Sequence, residues 1–235
     1  MADTHHNNRT QAEKLIRTLD PDYRQRWEVY DGILKRLTGP GARWLDGGCG
    51  RNEAIEEFPC DITVGLDVYR HPEALSAPPT HLVLGSMDDL PFRDGAFSLV
   101  TLNTVAEHFE HPEAVLREIH RILEPGGHVL LHTTNRRSPL IAIGNLFPES
   151  IRFKLMHKGF GAHEPDVFRA YHRLNTVDAI TDIDGFEPVE FHAIQDLNWS
   201  NRLVFYGLLT YHMLSRLPGL WRLRTNFIAL LRKRG

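Results

Sequence analysis

One run, Trp44-Leu45-Asp46-Gly47-Gly48-Cys49-Gly50-Arg51-Asn52, restricts the fold of this chain more than any other. A short apolar segment ends in an acid and opens into clustered glycines, and the residues from Glu53 to Phe58 read as a helix. Strand, glycine turn, helix is the arrangement by which an open α/β sheet brings its main chain against a nucleoside, because a residue without Cβ permits that approach. A second apolar run, Ile62-Thr63-Val64-Gly65-Leu66, also ends in an acid, Asp67, 21 residues after Asp46. At that spacing an open sheet sets a carboxylate against a pair of ribose hydroxyls.

The turn narrows the choice of nucleoside. Counting from Gly48, the third glycine of a dinucleotide fingerprint would fall on Glu53, and an acid there would face a pyrophosphate. No Gly-Lys-Ser/Thr follows, so a phosphate loop is not formed. An acidic loop suits a nucleoside without phosphates, above all one carrying a positive sulfonium, S-adenosylmethionine (SAM).

At these residues the chain resembles the class I SAM-dependent methyltransferases, and most of all the small-molecule branch that includes the ubiquinone and menaquinone methylases. The likeness runs over residues 42–135 and resumes at 171–194. Its ordered landmarks are Leu45-Asp46-Gly47-Gly48-Cys49-Gly50, Gly65-Leu66-Asp67, Gly85 to Phe92, Phe97-Ser98-Leu99-Val100, Glu107-His108 and Leu123-Glu124-Pro125-Gly126-Gly127. The resemblance implies a Rossmann-like, open, mostly parallel seven-stranded sheet with helices on both faces, ending in an antiparallel strand. Phe227 to Leu231 is the candidate for that strand, although its periodicity alone fits a helix equally well.

The residue pattern agrees with alternating strands and helices. Helices are expected at Asp22–Leu37, Pro112–Leu123 (stopped by Pro125-Gly126-Gly127) and Thr176–Ile183. Strands are expected at about 43–46, 62–67, 82–84, 98–103, 128–133 and 188–194. The whole is read as a single domain, 1–235, with an N-terminal helical segment (10–38), an insertion or lid (135–175) and an apolar, basic C-terminal segment (197–235).

The resemblance also assigns roles. Asp46, Gly47, Gly48, Cys49 and Gly50 would meet the methionine part of SAM, Asp67 and its neighbour Val68 the ribose, and Ser86, Met87 and Asp88 the adenine. Asn103, after the fourth strand, would touch the amino-acid end. His108 is the candidate general base, since imidazole titrates near neutral pH. His132, Asn135, Arg136 and Tyr171 are candidate acceptor-binding residues. Three positions depart from the family pattern: Asn52 replaces a third glycine, Ser86 stands where an acid often contacts adenine, and Ser98 stands where Asp is common. With them, a SAM-binding but inactive module that tethers a partner is the rival reading.

The acceptor is bounded by charge. Residues 135–175 hold seven bases (Arg136, Arg137, Arg152, Lys154, Lys158, Arg169, Arg173) against three acids, with five aromatics, which suits an anionic or aromatic acceptor. After Asp196 there are seven bases and no acid, so the formal charge of −3 for the chain leaves −10 on residues 1–196. The apolar run Leu203 to Leu214 is too short to span a bilayer, which takes ~20 residues. With Trp199, Trp221 and excess Arg, it describes a segment lying on an anionic membrane surface, or else a helix packed on the core or a homodimer partner. A small or lipid-linked acceptor, methylated at oxygen, is the expectation.

The remaining composition is unexceptional. With 42% hydrophobic and 24% charged residues the chain is a soluble globular type. Two cysteines, one inside the glycine turn, build no disulfide framework, and the polar start from Met1 to Arg9 holds no export signal core, so a cytoplasmic protein is expected. The fourteen histidines are scattered, without metal-ligand spacing. Nucleic acid is a poor fit to a slightly acidic chain that lacks the Asn-Pro-Pro-Tyr/Phe signature of base methylation.

Overall fold

A computed structural model describes residues 2–51, 57–71, 80–145, 170–198 and 201–235. The expected helix at 53–58 and most of the insertion at 135–175 lie outside the described residues. Seven strands form one sheet: β1 (Gly39–Gly47), β2 (Cys60–Asp67), β3 (Thr80–Leu84), β4 (Phe97–Asn103), β5 (Leu123–Thr134), β6 (Phe186–Ile194) and β7 (Asn226–Lys233). Their order across the sheet is β3-β2-β1-β4-β5-β7-β6. The helices described are α1 (Ala2–Leu19), α2 (Arg26–Leu37), α3 (Pro112–Ile122), α4 (Pro139–Asn145), α5 (Val177–Thr181) and α6 (Arg202–Ser215), with 3-10 turns at Ala106–His108 and Leu220–Leu223.

Register explains why the strands read as near-continuous apolar runs. β1 pairs in parallel with β2 and with β4, β2 with β3, and β4 with β5. A central parallel strand is covered on both faces, so both alternating sets of side chains are apolar. Trp44, Leu45, Val100, Leu102, Val129, Leu130 and Leu131 are accordingly buried. Strand order reverses between β1 and β4, and because these strands are parallel the carboxyl ends of β1, β2, β4 and β5 open on one edge.

The ambiguous run at 227–231 is a strand. Its neighbours show its direction: the Arg234 amide donates to the Gly185 carbonyl just before β6 begins, and the Lys233 ammonium reaches the Leu123 carbonyl at the start of β5. The end of β7 thus meets the beginnings of both flanking strands, which makes it antiparallel to them. Long-range pairing decides strand over helix here, since a five-residue apolar run carries too little periodicity to choose.

Two boundaries differ from expectation. Helix α2 begins at Arg26, not Asp22, because Pro21 opens a turn and the Gln25 amide is capped by Glu28 Oε2 at 2.8 Å, the carboxylate half of a capping box. Strand β5 begins at Leu123, not His128. Its pairing with β4 shifts between Phe97 and Leu99, and Pro125-Gly126-Gly127 forms an irregularity inside the strand, with Gly126 at φ 78°.

Two compact units are distinguished by their internal contacts. The first gathers the described residues within Met1–Glu28, Asn135–Phe168 and Ala193–Asn226, and the second those of Val29–Thr134, Arg169–His192 and Phe227–Gly235. The second holds the sheet. The first has its own apolar cluster, in which Ala12, Ile16 and Tyr23 meet Leu197, Phe205 and Leu209. Beside it the buried His212 ring pairs with Asp20 at 2.8 Å.

Candidate active site

The glycine turn after β1 is bound to β2 by its own amides. Gly48 and Cys49 both donate to the Leu66 carbonyl, at 2.7 and 3.1 Å, and Gly50 donates to Asp67 Oδ2 at 2.9 Å. Gly48 sits at φ 68°, and a Cβ there would stand 2.4 Å from Val105 Cγ2, so only glycine fits. At Gly47 a Cβ would meet the Met87 thioether at 2.8 Å, and Met87 is itself buried against the turn. These three amides are spent on the end of β2, so they do not form the anion cradle that a phosphate-binding loop requires.

Asp67 holds the other side. Its Oδ1 accepts from the Tyr69 amide at 3.0 Å while Oδ2 accepts from Gly50. A carboxylate offers about four acceptor positions, so each oxygen keeps one for a hydroxyl. Val68, next along, is exposed, as are Ser86 and Asp88 beyond β3.

Asp46 is buried and belongs to a polar cluster that sequence reasoning did not foresee. Thr101 Oγ1 donates to Asp46 Oδ1 at 2.6 Å and accepts from Trp44 Nε1 at 2.8 Å. Tyr30, from α2, is buried beside the same cluster, and burial together with the Asp46 charge raises its hydroxyl pKa. Burial pushes the Asp46 carboxyl up to about 6; the Thr101 hydrogen bond opposes this and the nearby Asp67 adds to it. Burial also pushes the Cys49 thiol up to about 12, helped by Asp46 and Asp67, which keeps it a neutral, unreactive lining group. A signal for Thr101 existed: it lies two residues before Asn103, hence on the same face of β4. Its pairing with Asp46 is a matter of register between β1 and β4.

At the ends of β4 and β5 the structure joins two expected residues. Asn103 and His132 are register partners, and their side chains meet at 2.7 Å, with His132 Nδ1–H donating to Asn103 Oδ1. The Tyr30 ring stands edge-on to His132, centroids 6.3 Å apart. Thr104 follows in the left-handed region at φ 58°, its amide bonded to the His132 carbonyl at 2.9 Å. A non-glycine residue in that region costs ~1–3 kcal/mol, a strain that gathers at functional sites. His108 ends the 3-10 turn that follows, half-buried. Glu107 on the same turn is buried, takes a 2.8 Å hydrogen bond from Thr133, and its carbonyl accepts from the Tyr171 and His172 amides.

One expectation is corrected. Asn135 does not present itself to an acceptor: Nδ2 donates to the carbonyls of Arg222 and Arg224, Oδ1 accepts from the Arg137 amide, and the residue is fully buried. It is a structural clasp. Ser98 lies at the start of β4, as expected, where its hydroxyl accepts from the Arg43 amide and donates to the Arg43 carbonyl. Arg136 is exposed, and the Tyr171 hydroxyl donates to Glu110 at 3.0 Å. Asn52 lies outside the described residues. A cleft of about 620 Å³ lined by Pro112, Arg117, His120, Arg173 and Asp182 borders α3 and α5, but it includes none of the strand-end residues above.

Comparison with known proteins follows the same lines. Residues 22–177 match the family model described as a methyltransferase domain. A ubiquinone biosynthesis O-methyltransferase of Xanthomonas campestris is 31% identical over 142 residues, covering 55% of this chain and 58% of that protein. The match thus spans little more than half of the relative's length. A putative methyltransferase from Bacillus halodurans shares the fold with a TM-score of 0.55 at 18% identity, over 89% of this chain and 99% of its own. An S-adenosylmethionine-dependent methyltransferase from Mesorhizobium loti does so with a TM-score of 0.53 at 16% identity, over 88% and 97%.

Proposed function

Since this chain belongs to the methyltransferase-domain family and has the Rossmann-like sheet of the class I SAM-dependent enzymes, we propose that it transfers a methyl group from SAM to the oxygen of a small or lipid-linked acceptor. The observation that carries the cofactor reading is the Asp67 carboxylate, which clasps the glycine turn and retains acceptor capacity on both oxygens, beside amides already spent on β2. Such a site suits a ribose without phosphates.

When bound, SAM supplies an activated methyl group on a positively charged sulfur. The protein's part is to hold and orient. Asp67 receives the ribose hydroxyl pair, with Val68 beside it. Met87 forms an apolar wall at the turn, with Ser86 and Asp88 at the adenine side. Asp46, Gly47, Gly48, Cys49 and Gly50 line the approach to the methionine part, and Asn103 meets its amino-acid end. Orientation of this kind is worth up to ~7–11 kcal/mol when geometry is ideal. A hydroxyl acceptor that arrives protonated needs a base, and His108 is assigned that task, with His132 and Tyr171 at the acceptor side. The relative named as a ubiquinone biosynthesis O-methyltransferase supports oxygen as the methylated atom. A lipid-linked acceptor would bring the chain to a bilayer, and the acid-free stretch 201–224, ahead of β7, is the part that would meet it.

Titration with SAM and with S-adenosylhomocysteine by calorimetry tests the cofactor. Both should bind, and Asp67→Ala should weaken both by roughly a hundredfold, the scale of two charge-assisted hydrogen bonds. Unchanged affinity in the variant sinks the ribose placement, and binding of neither ligand sinks the function. Methyl uptake into phenolic and prenylated phenolic acceptors then tests the substrate class.

A further inference from the structure

Helix α6 is apolar on two faces, and only one of them is packed. Phe205, Leu209, His212 and Ser215 are buried, and Phe205 and Leu209 lie on the cluster of Ala12, Ile16, Tyr23 and Leu197. The opposite stripe runs Leu203, Tyr206, Gly207, Thr210, Leu214 and on to Leu217, spaced so that all share one side of the helix. A helix on a soluble surface carries charged and polar groups there. Here Leu203 is 83% exposed, Tyr206 and Leu214 54% each and Leu217 53%. The Thr210 hydroxyl is turned back onto its own helix, donating to the Tyr206 carbonyl at 2.9 Å, which lowers the polarity of the stripe further.

Charge states what covers it. Residues 201–224 hold four arginines and no acid. Arg224 is turned inward, donating to Ser215 and to the Ala193 carbonyl, and Arg216 reaches Asp20. Arg202 at one end of the stripe and Arg222 at the other are exposed, and Arg222 lies over the Trp221 ring at 5.3 Å. A second copy of the chain meeting this stripe about a two-fold axis would bring two arginine-bearing segments without an acid of their own together, like charge against like. An anionic surface meets no such penalty. At 14 residues α6 is too short to span a bilayer, and no helix among the described residues is long and apolar enough to do so. Apolar stripe, aromatic side chains and arginines at the ends are the features of a helix that lies in the plane of a bilayer interface.

We propose that the Leu203–Tyr206–Leu214–Leu217 face of α6 docks on a bilayer containing anionic phospholipid, with Arg202 and Arg222 at the headgroups. This deepens the reading of 201–224 as lipid-facing and is independent of the cofactor reading. It also places the protein as peripheral at a membrane, where a lipid-linked acceptor resides.

The test is co-sedimentation of the full chain with phosphatidylcholine vesicles with and without phosphatidylglycerol, at low and high salt. Wild type should sediment with the anionic vesicles and be released by salt. Leu203→Asp with Leu214→Asp should lose the binding altogether. Arg202→Gln with Arg222→Gln should weaken it by about fivefold per arginine, the scale of one basic group at an anionic surface. No sedimentation of wild type at low salt overturns the proposal, and so does undiminished binding of the aspartate variant. Self-association of wild type in sedimentation velocity, lost in the aspartate variant, names a second copy as the occupant and likewise overturns it. S-adenosylhomocysteine titration of each variant shows separately that the cofactor site is intact, so a failure there does not pass for a failure here.

Discussion

Replacing Thr101 by Val removes one oxygen and unsettles two partners. The shape is nearly unchanged, but Asp46 Oδ1 loses its 2.6 Å donor, and Trp44 Nε1 loses its acceptor inside the core. A buried donor left without a partner costs ~1–3 kcal/mol, and the loss of a hydrogen bond to a carboxylate costs ~1.5–3 kcal/mol against about 1 for its protonated form. The sum is a destabilisation of about 3–6 kcal/mol, part of it dependent on pH. The sign follows from the Asp46 carboxyl, raised by burial from 3.8 to about 6. Between those values the folded chain keeps a proton that the unfolded chain has released, so this group's stabilising contribution is complete below the lower value and is lost as pH rises through the upper. At neutral pH the loss amounts to about 3 kcal/mol. Without the Thr101 hydroxyl the carboxyl rises further and the fall extends to higher pH. Urea unfolding of both proteins at about pH 5 and about pH 8 should therefore show a variant penalty larger by about 1–2 kcal/mol at the higher pH. An equal penalty at both would refute the coupling of Thr101 to a carboxylate at Asp46, and no penalty at all would refute the cluster.

Gly48→Ala should destabilise by about 2–4 kcal/mol from backbone strain and the clash with Val105, and Val105→Ala in that background should restore about half by thermal melting; failure to restore would locate the cost elsewhere. His108→Ala should reduce turnover by roughly a hundredfold with little change in SAM affinity. If turnover holds, the residue serves the 3-10 turn. Asn135→Ala should lower stability by about 2–4 kcal/mol while the KM for acceptor stays the same, since all its polar atoms are engaged with backbone; a raised KM would return it to the acceptor site.

Much of the cofactor end was legible because it is local. The Asp46 turn and Asp67 each announce themselves within a few residues, and the 21-residue spacing reflects one βαβ unit. The acceptor end was less legible. His132 and Asn103 are 29 residues apart and read as separate residues, one for the acceptor and one for the amino-acid end of SAM, until the β4–β5 register made them a pair. Asn135 carries the same side chain as Asn103 and sits likewise at a strand end, yet its surroundings consume it.

By itself, then, the sequence determined the alternation of strands and helices, the position of the glycine turn and the two carboxylates that frame it. Those properties follow from backbone sterics and the period of apolar residues, which act over a few positions. Tertiary structure alone decided that Phe227 to Leu231 is a strand between β5 and β6, that Thr101 joins Trp44 to Asp46, and that α6 has one packed face and one exposed apolar face. Each depends on which distant segments come to lie beside one another. That is settled by burial of apolar surface and by pairing of backbone groups over the whole chain, which no window of residues contains.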